Sequence, residues 1–143
     1  MDAERIERVV AIGTEHAFVE TERDLERTMA TLEDDPVYEF QPVGGVLRGR
    51  TQVRRYYEHL MNEFLPRVES AELVAEWPSE HSLAQEYEAV VRVDGSLETH
   101  RLLGILLIGA ERLQGERIWG SERALRLMLG PLFDELELLA PGR

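Results

Sequence analysis

The run Leu102-Leu103-Gly104-Ile105-Leu106-Leu107-Ile108 limits most severely what this chain can fold into. It lies within Leu97 to Ala110, a stretch that reads as one long strand whose apolar residues do not alternate with polar ones. Such a strand needs cover on both faces of its sheet. The apolar segment Leu102 to Ala110 has nine residues including two glycines, far short of the roughly 20 that a membrane helix requires. Its neighbours in the sequence also read as strands. Tyr87, Ala89, Val91 and Val93 alternate with Glu86, Glu88, Val90 and Arg92. Asp94-Gly95, two residues that tolerate positive φ, then predicts a hairpin into the apolar strand. Upstream, Ala71, Leu73, Ala75 and Trp77 alternate with Glu72, Val74 and Glu76 before a turn at Pro78-Ser79-Glu80. Downstream, Gly115 marks a turn or bulge and Glu116 to Trp119 continues the sheet.

Helices must supply part of the cover. Ile6, Val9, Val10, Gly13, Ala17 and Phe18 recur at helical spacing between Asp2 and Val19. A second helix is expected from about Glu22 to Leu32, stopped by Asp34-Asp35-Pro36 because the residue before proline is pushed out of the α region. Val37 to Gln41 reads as a strand, Gly44-Gly45 as a turn, and Val46 to Arg48 as a short returning strand. From about Thr51 to Leu65, Val53, Tyr56, Tyr57, Leu60, Met61 and Phe64 form a single apolar stripe. Ser121 can cap a helix through Met128 that Gly130-Pro131 ends, and a last short helix is expected to use Leu132, Phe133, Leu136 and Leu139. The fold class is therefore α+β, a mostly antiparallel sheet with helices on one face. A second copy of the chain is the expected cover for the other face, which predicts a homodimer through the outer side of the sheet.

A length of 143 residues suits one domain, spanning 1–143. The formal net charge of −12 repels nucleic-acid phosphates and anionic lipid, so neither is an expected partner. Arg48, Arg50, Arg54 and Arg55 form the basic cluster, with Glu58 and Glu63 close behind, and read as a solvated helix start. There is no cysteine, which excludes disulfides, thiolate chemistry and Cys-based zinc sites. The charged opening Met1-Asp2-Ala3-Glu4-Arg5 lacks an apolar signal core, and a cytoplasmic location is expected.

Glu39, Glu86 and Glu116 lie within predicted strands. A glutamate facing an apolar cavity has its pKa raised by desolvation and can act as a base near neutral pH. The alternative is that strand alternation places all of them on a solvated face. Among the histidines, His16 near the end of the first helix can reach a cavity mouth, and His100 can pair with a strand glutamate as a proton shuttle. His59, off the apolar stripe, and His81, at a turn, are expected to be exposed. Tyr56 and Tyr57 are core residues by spacing, although one phenol could still donate to a ligand carbonyl. No His-x-His or His-Glu-x-x-His spacing supports a metal, and no glycine-rich phosphate loop supports a nucleotide, so no cofactor is expected.

The phrases Asp35-Pro36-Val37-Tyr38-Glu39-Phe40, Leu47-Arg48-Gly49-Arg50 leading into Val53-Arg54-Arg55-Tyr56-Tyr57, Gln85-Glu86-Tyr87 and Gly115-Glu116-Arg117-Ile118-Trp119 follow one another in a telling order. In that order they resemble the SnoaL-like polyketide cyclases, within the nuclear-transport-factor-2-like and ketosteroid-isomerase-like superfamily. The resemblance implies a cone-shaped α+β barrel, with the curved sheet wrapped around the N-terminal helices and an apolar pocket at the open end. It also implies that Tyr38, Tyr56, Tyr57, Tyr87, Trp119, His16 and Glu39 contact a hydrophobic small molecule, and that the pocket carries an acid. The aspartates crowd turns and ends, as at Asp34, Asp35 and Asp94, and none matches a catalytic aspartate of such enzymes; the strand glutamates Glu86 or Glu116 are the expected base, with His100 as helper. The implied activity is that of a cofactor-independent lyase, isomerase or cyclase on a carbonyl compound. The residues themselves leave open a non-catalytic binding protein, or a dimeric scaffold with a filled cavity.

Overall fold

A computed structural model describes residues 1–139. Helix α1, Ala3–Thr21, starts where the Asp2 side chain accepts from the Arg5 amide, and it buries Val9, Gly13, His16 and Val19 along one face. At Gly13 the helix lies directly against side chains of the sheet. A Cβ there would stand 2.6 Å from Leu83 Cδ2. Helix α2, Leu25–Ala30, is capped by Asp24 and is shorter than expected at both ends. Strand β1, Leu32–Gln41, begins before the predicted stop, so Asp34, Asp35 and Pro36 lie inside the strand. The register against its neighbour shifts between Leu32 and Val37, and that irregularity takes in the proline.

Strand β2, Gly45–Arg48, returns antiparallel to β1 and leads into helix α3, Gly49–His59. A π turn over Leu60–Phe64 and a 3₁₀ turn over Leu65–Arg67 carry the chain on past α3. All six stripe residues, Val53, Tyr56, Tyr57, Leu60, Met61 and Phe64, are buried as expected. The long strands follow: β3, Val68–Pro78; β4, Ser82–Val93; β5, Ser96–Ile108; and β6, Leu113–Trp119. Helix α4, Glu122–Leu129, starts on a bond from the Ala124 amide to Ser121 Oγ at 3.0 Å. In place of the expected last helix there is a 3₁₀ segment, Gly130–Glu135, and a two-residue strand β7, Glu137–Leu138, paired with β2. Gly130 turns with positive φ directly over the His59 ring, where any Cβ would collide. His59 is thereby half-buried, not exposed, and its Nε2 lies 3.3 Å from the Leu127 carbonyl.

The strands form a single sheet in the order β3-β4-β5-β6-β1-β2-β7. Every pair is antiparallel except β1–β6, which the long excursion through α3 and β3–β5 makes parallel. The sheet curves around the helices. Register settles which side chains share a face. Tyr38 pairs with Glu116, Glu116 with Leu106, Leu106 with Leu83, and this row points inward. The alternate row, which includes Glu39, Arg117, Ile105, Glu86 and Leu103, points outward. On β5, Leu106 and Ile108 are buried beneath the helices, whereas Leu103, Ile105 and Leu107 are only half-buried.

The basic cluster is consumed internally. Arg50 donates to the carbonyls of Met29, Leu32 and Glu33, Arg54 pairs with Glu26 and Glu58, Arg55 with Glu135, and Arg48 with Glu137. Among the described residues, no helix is long and apolar enough to cross a membrane.

Candidate functional site

Between α1, the end of α3 and the concave face of the sheet lies a cavity of about 180 Å³. Leu60, Phe64, Val68, Ala89, Leu102 and Ile118 make much of its wall. Its polar groups gather at one end. His16 and Glu20, one helical turn apart on α1, meet Glu116 from β6, with His16 Nε2 3.3 Å from Glu20 Oε2 and 3.9 Å from Glu116 Oε2. Behind them the Tyr57 hydroxyl stands 3.0 Å from His16 Nε2 and 3.2 Å from Glu116 Oε2. The Tyr38 and Tyr57 hydroxyls share a 2.5 Å hydrogen bond. With its own proton given to Tyr57, Tyr38 leaves the Tyr57 proton for Glu116 or His16.

Two local devices aim this group. Glu116 follows Gly115, which must be glycine because a Cβ would lie 1.8 Å from the Val37 carbonyl oxygen. This close approach brings β6 against β1 and sets Glu116 opposite Tyr38. Gly104, on the neighbouring strand β5, lies beside Glu116, where a Cβ would meet Oε1 at an ordinary contact distance of 3.5 Å. His16 is anchored from its far side by Thr31 Oγ1, 2.6 Å from Nδ1.

The electrostatics are those of a buried, proton-sharing group. Burial and the charge of Glu20 push the Glu116 carboxyl up to about 7, against the pull of His16 and the tyrosine hydroxyls. Burial would lower the His16 imidazole, but the hydrogen bond with Glu20 and the charge of Glu116 outweigh it and hold the ring above its usual value. Burial raises the Tyr38, Tyr56 and Tyr57 phenols well above the ordinary range, so they act only as hydrogen-bonding groups. Tyr87, which also lines the cavity, is pushed up to about 12, again chiefly by burial, and donates to Gln85 Oε1. Gln85 Nε2 in turn donates to Glu76.

Of the residues singled out in the sequence, the fold brings together His16, Tyr38, Tyr56, Tyr57, Tyr87 and Glu116. His16 lies in the floor of the cavity, 1% exposed, not at its mouth. The remainder lie elsewhere. Glu86 points outward and pairs with Arg101 at 2.6 Å, and Glu39 pairs with Arg117 at 3.1 Å. His100 bonds to Glu98 at 3.0 Å, away from the cavity, and Glu98 is held down at about 2 by Arg123 first and His100 second. Trp119 lines a separate groove with Trp77, Glu86, Arg101 and Leu103. Sequence reasoning missed Glu20, Gln85 and Thr31. Glu20 had a signal, because four residues after His16 it shares the same face of the helix. Thr31 had none, since only the turn out of α2 brings it to the ring.

Among the described residues, His16, Glu20 and Glu116 are also the one grouping whose ligand atoms converge closely enough for a metal ion, all within 4.8 Å of one another. The sequence held no metal-spacing motif because the third member comes from a different element. As arranged, His16 Nε2 has the Tyr57 hydroxyl at 3.0 Å and Glu20 Oε2 at 3.3 Å.

No protein-family model and no curated protein matches the sequence. Solved structures do match the fold. An NTF2-like protein from Anabaena variabilis superposes with a TM-score of 0.71 at 12% identity, covering 85% of this chain and 94% of that one. An LEH-like epoxide hydrolase from M. tuberculosis gives 0.66 at 14% identity, covering 87% and 90%. A protein of ketosteroid isomerase-like fold from Catenulispora acidiphila, solved with trimethylamine, gives 0.64 at 14%, covering 83% and 92%. This chain has the fold of the NTF2-like and ketosteroid isomerase-like proteins. At these identities the likeness concerns the fold alone.

Proposed function

We propose that the protein is a cofactor-independent acid–base catalyst of the lyase, isomerase or SnoaL-like cyclase type, acting on a hydrophobic carbonyl-bearing small molecule. One observation carries this reading. A carboxyl group pushed up to about 7 stands at the polar end of an apolar cavity, beside a histidine and a tyrosine that can exchange its proton. A base is most effective when its pKa lies near the working pH, because it is then ionised often enough and still basic enough. Glu116 removes the proton next to the carbonyl, and His16 and Tyr57 rebalance charge around it. The substrate's apolar body lies against Leu60, Phe64, Leu102 and Ile118. In this reading Glu86 and His100, which face other partners, take no part.

The bicyclic ketone 2-tetralone is a suitable probe. Wild-type protein in D₂O is expected to exchange its α-protons for deuterium, followed by NMR, and Glu116→Gln to slow exchange by roughly a hundredfold or more. Wild-type exchange no faster than with Glu116→Gln refutes the reading.

One feature favours the alternative, a non-catalytic binding protein. The Tyr38 and Tyr57 hydroxyls are committed to each other and to the His16–Glu116 pair, so neither is pre-aimed at a ligand oxygen. Saturable binding of 2-tetralone with no proton exchange supports that reading instead.

A further inference from the structure

We infer that Thr31 is a positioning residue that locks neutral His16 in the Nδ1–H tautomer, so that Nε2, bare in the neutral ring, is the nitrogen that gains and loses a proton facing Glu20, Tyr57 and Glu116. A count of protons fixes the tautomer. Thr31 Oγ1 lies 2.6 Å from the Thr28 carbonyl oxygen and 2.6 Å from His16 Nδ1. A hydroxyl has one proton to give. A carbonyl can only accept, and two oxygens 2.6 Å apart with no proton between them repel. The threonine proton therefore belongs to the Thr28 carbonyl, and the lone pair of Oγ1 that faces the ring must receive a proton from Nδ1. His16 is 1% exposed, so water does not compete for that nitrogen. The Nε2–H neutral tautomer would set two lone pairs against each other at 2.6 Å.

The consequence deepens the proposed acid–base role and rests on it. Neutral His16 always turns a lone pair toward the cavity group, where the facing titratable groups are Glu20 on the same helix, Tyr57 from α3, Tyr38 behind it on β1 and Glu116 from β6. It can gain a proton from the Glu116 carboxyl through the Tyr57 hydroxyl, 3.0 Å from Nε2 and 3.2 Å from Glu116 Oε2: Tyr57 gives its proton to Nε2 and takes the one from Glu116, leaving a carboxylate and an imidazolium, and the reverse shift returns it. It cannot act as the neutral donor that the other tautomer would be. Thr31 thus sets the direction of proton flow without touching a ligand.

The tautomer can be observed without any substrate. Long-range ¹H–¹⁵N spectra of ¹⁵N-labelled protein report which ring nitrogen is protonated, and the His16 signals are those lost in His16→Gln. On titration to the neutral ring, wild type is expected to show the Nδ1–H pattern. Thr31→Val is expected to lose it in favour of Nε2–H, and Thr31→Ser to restore it. An Nε2–H pattern in wild type overturns the inference, as does an Nδ1–H pattern that persists in folded Thr31→Val. A ring that keeps both protons until alkaline unfolding overturns it too, because the lone pair would never be offered. Because none of these readouts depends on turnover, failure of 2-tetralone exchange would refute the proposed activity and leave the tautomer result standing.

Discussion

Glu116 concentrates the chemistry of this chain in one side chain, and its cost to the fold can be measured. Its folded-state pKa of about 7 lies above the ordinary 4.5, so the folded chain binds that proton more tightly than the unfolded chain does. The resulting stabilisation is complete below 4.5 and is lost as pH rises through about 7. His16, also raised, works in the same direction from 6.5 upward. Glu116→Gln keeps the shape and removes the ionisation. Its urea unfolding free energy is expected to match wild type near pH 4 and to exceed it by on the order of 2 kcal/mol near pH 8. Equal pH slopes for the two proteins would mean that the carboxyl is not desolvated as described. His16 illustrates how residue-level reading falls short. Its type and helical position were enough to nominate it, but whether it stood at the mouth or the floor of the cavity depended on how closely α1 lies on the sheet, and Gly13 decides that.

At the scale of elements, the site depends on the parallel pairing of β1 with β6. Gly115 is the critical position, since the space a Cβ would need is occupied by the Val37 backbone, which cannot swing aside as a side chain can. Gly115→Ala is expected to cost about 3 kcal/mol or more, seen as loss of soluble protein or a large drop in the urea midpoint. A midpoint close to wild type would show that the strands tolerate separation. The helix α3, the strands β4 to β6 and the cap of α4 were legible because their periodicity and turn residues agree with the tertiary context. The start of β1 and the end of the chain were not. Asp34-Asp35-Pro36 is a sound helix stop, yet pairing with β6 draws the same residues into a strand. Leu136 packs, half-buried, against Gly45 at the β2 end of the sheet without a further helix.

Among the described residues, no helix of the chain covers the outer face of the sheet. Leu103, Ile105 and Leu107 on β5 are half-buried there, set among the ion pairs Glu86–Arg101 and Glu39–Arg117. We propose that a second copy covers this face, the charged pairs forming the rim and the β5 aliphatics the centre. Sedimentation at micromolar concentration is expected to give a dimer for wild type and a monomer for Ile105→Glu. A wild-type monomer would remove the proposal.

From the sequence alone came the α+β class, the buried stripe of α3, the long apolar strand, and a short list of acids and histidines that included Glu116 and His16. These are properties of local spacing, which periodicity and turn chemistry express directly. Which glutamate turns inward was not among them. Glu39, Glu86 and Glu116 all lie within predicted strands, and a strand's facing is set by register against its partners, which a one-residue shift would invert. Only the tertiary structure paired Glu116 with Tyr38 and Leu106, brought His16, Glu20 and Thr31 to it from other elements, and sent Glu86 and Glu39 outward to arginines. A pKa moved to about 7 arises from burial and from charges far apart in the chain, and so exists only once those parts have been brought together.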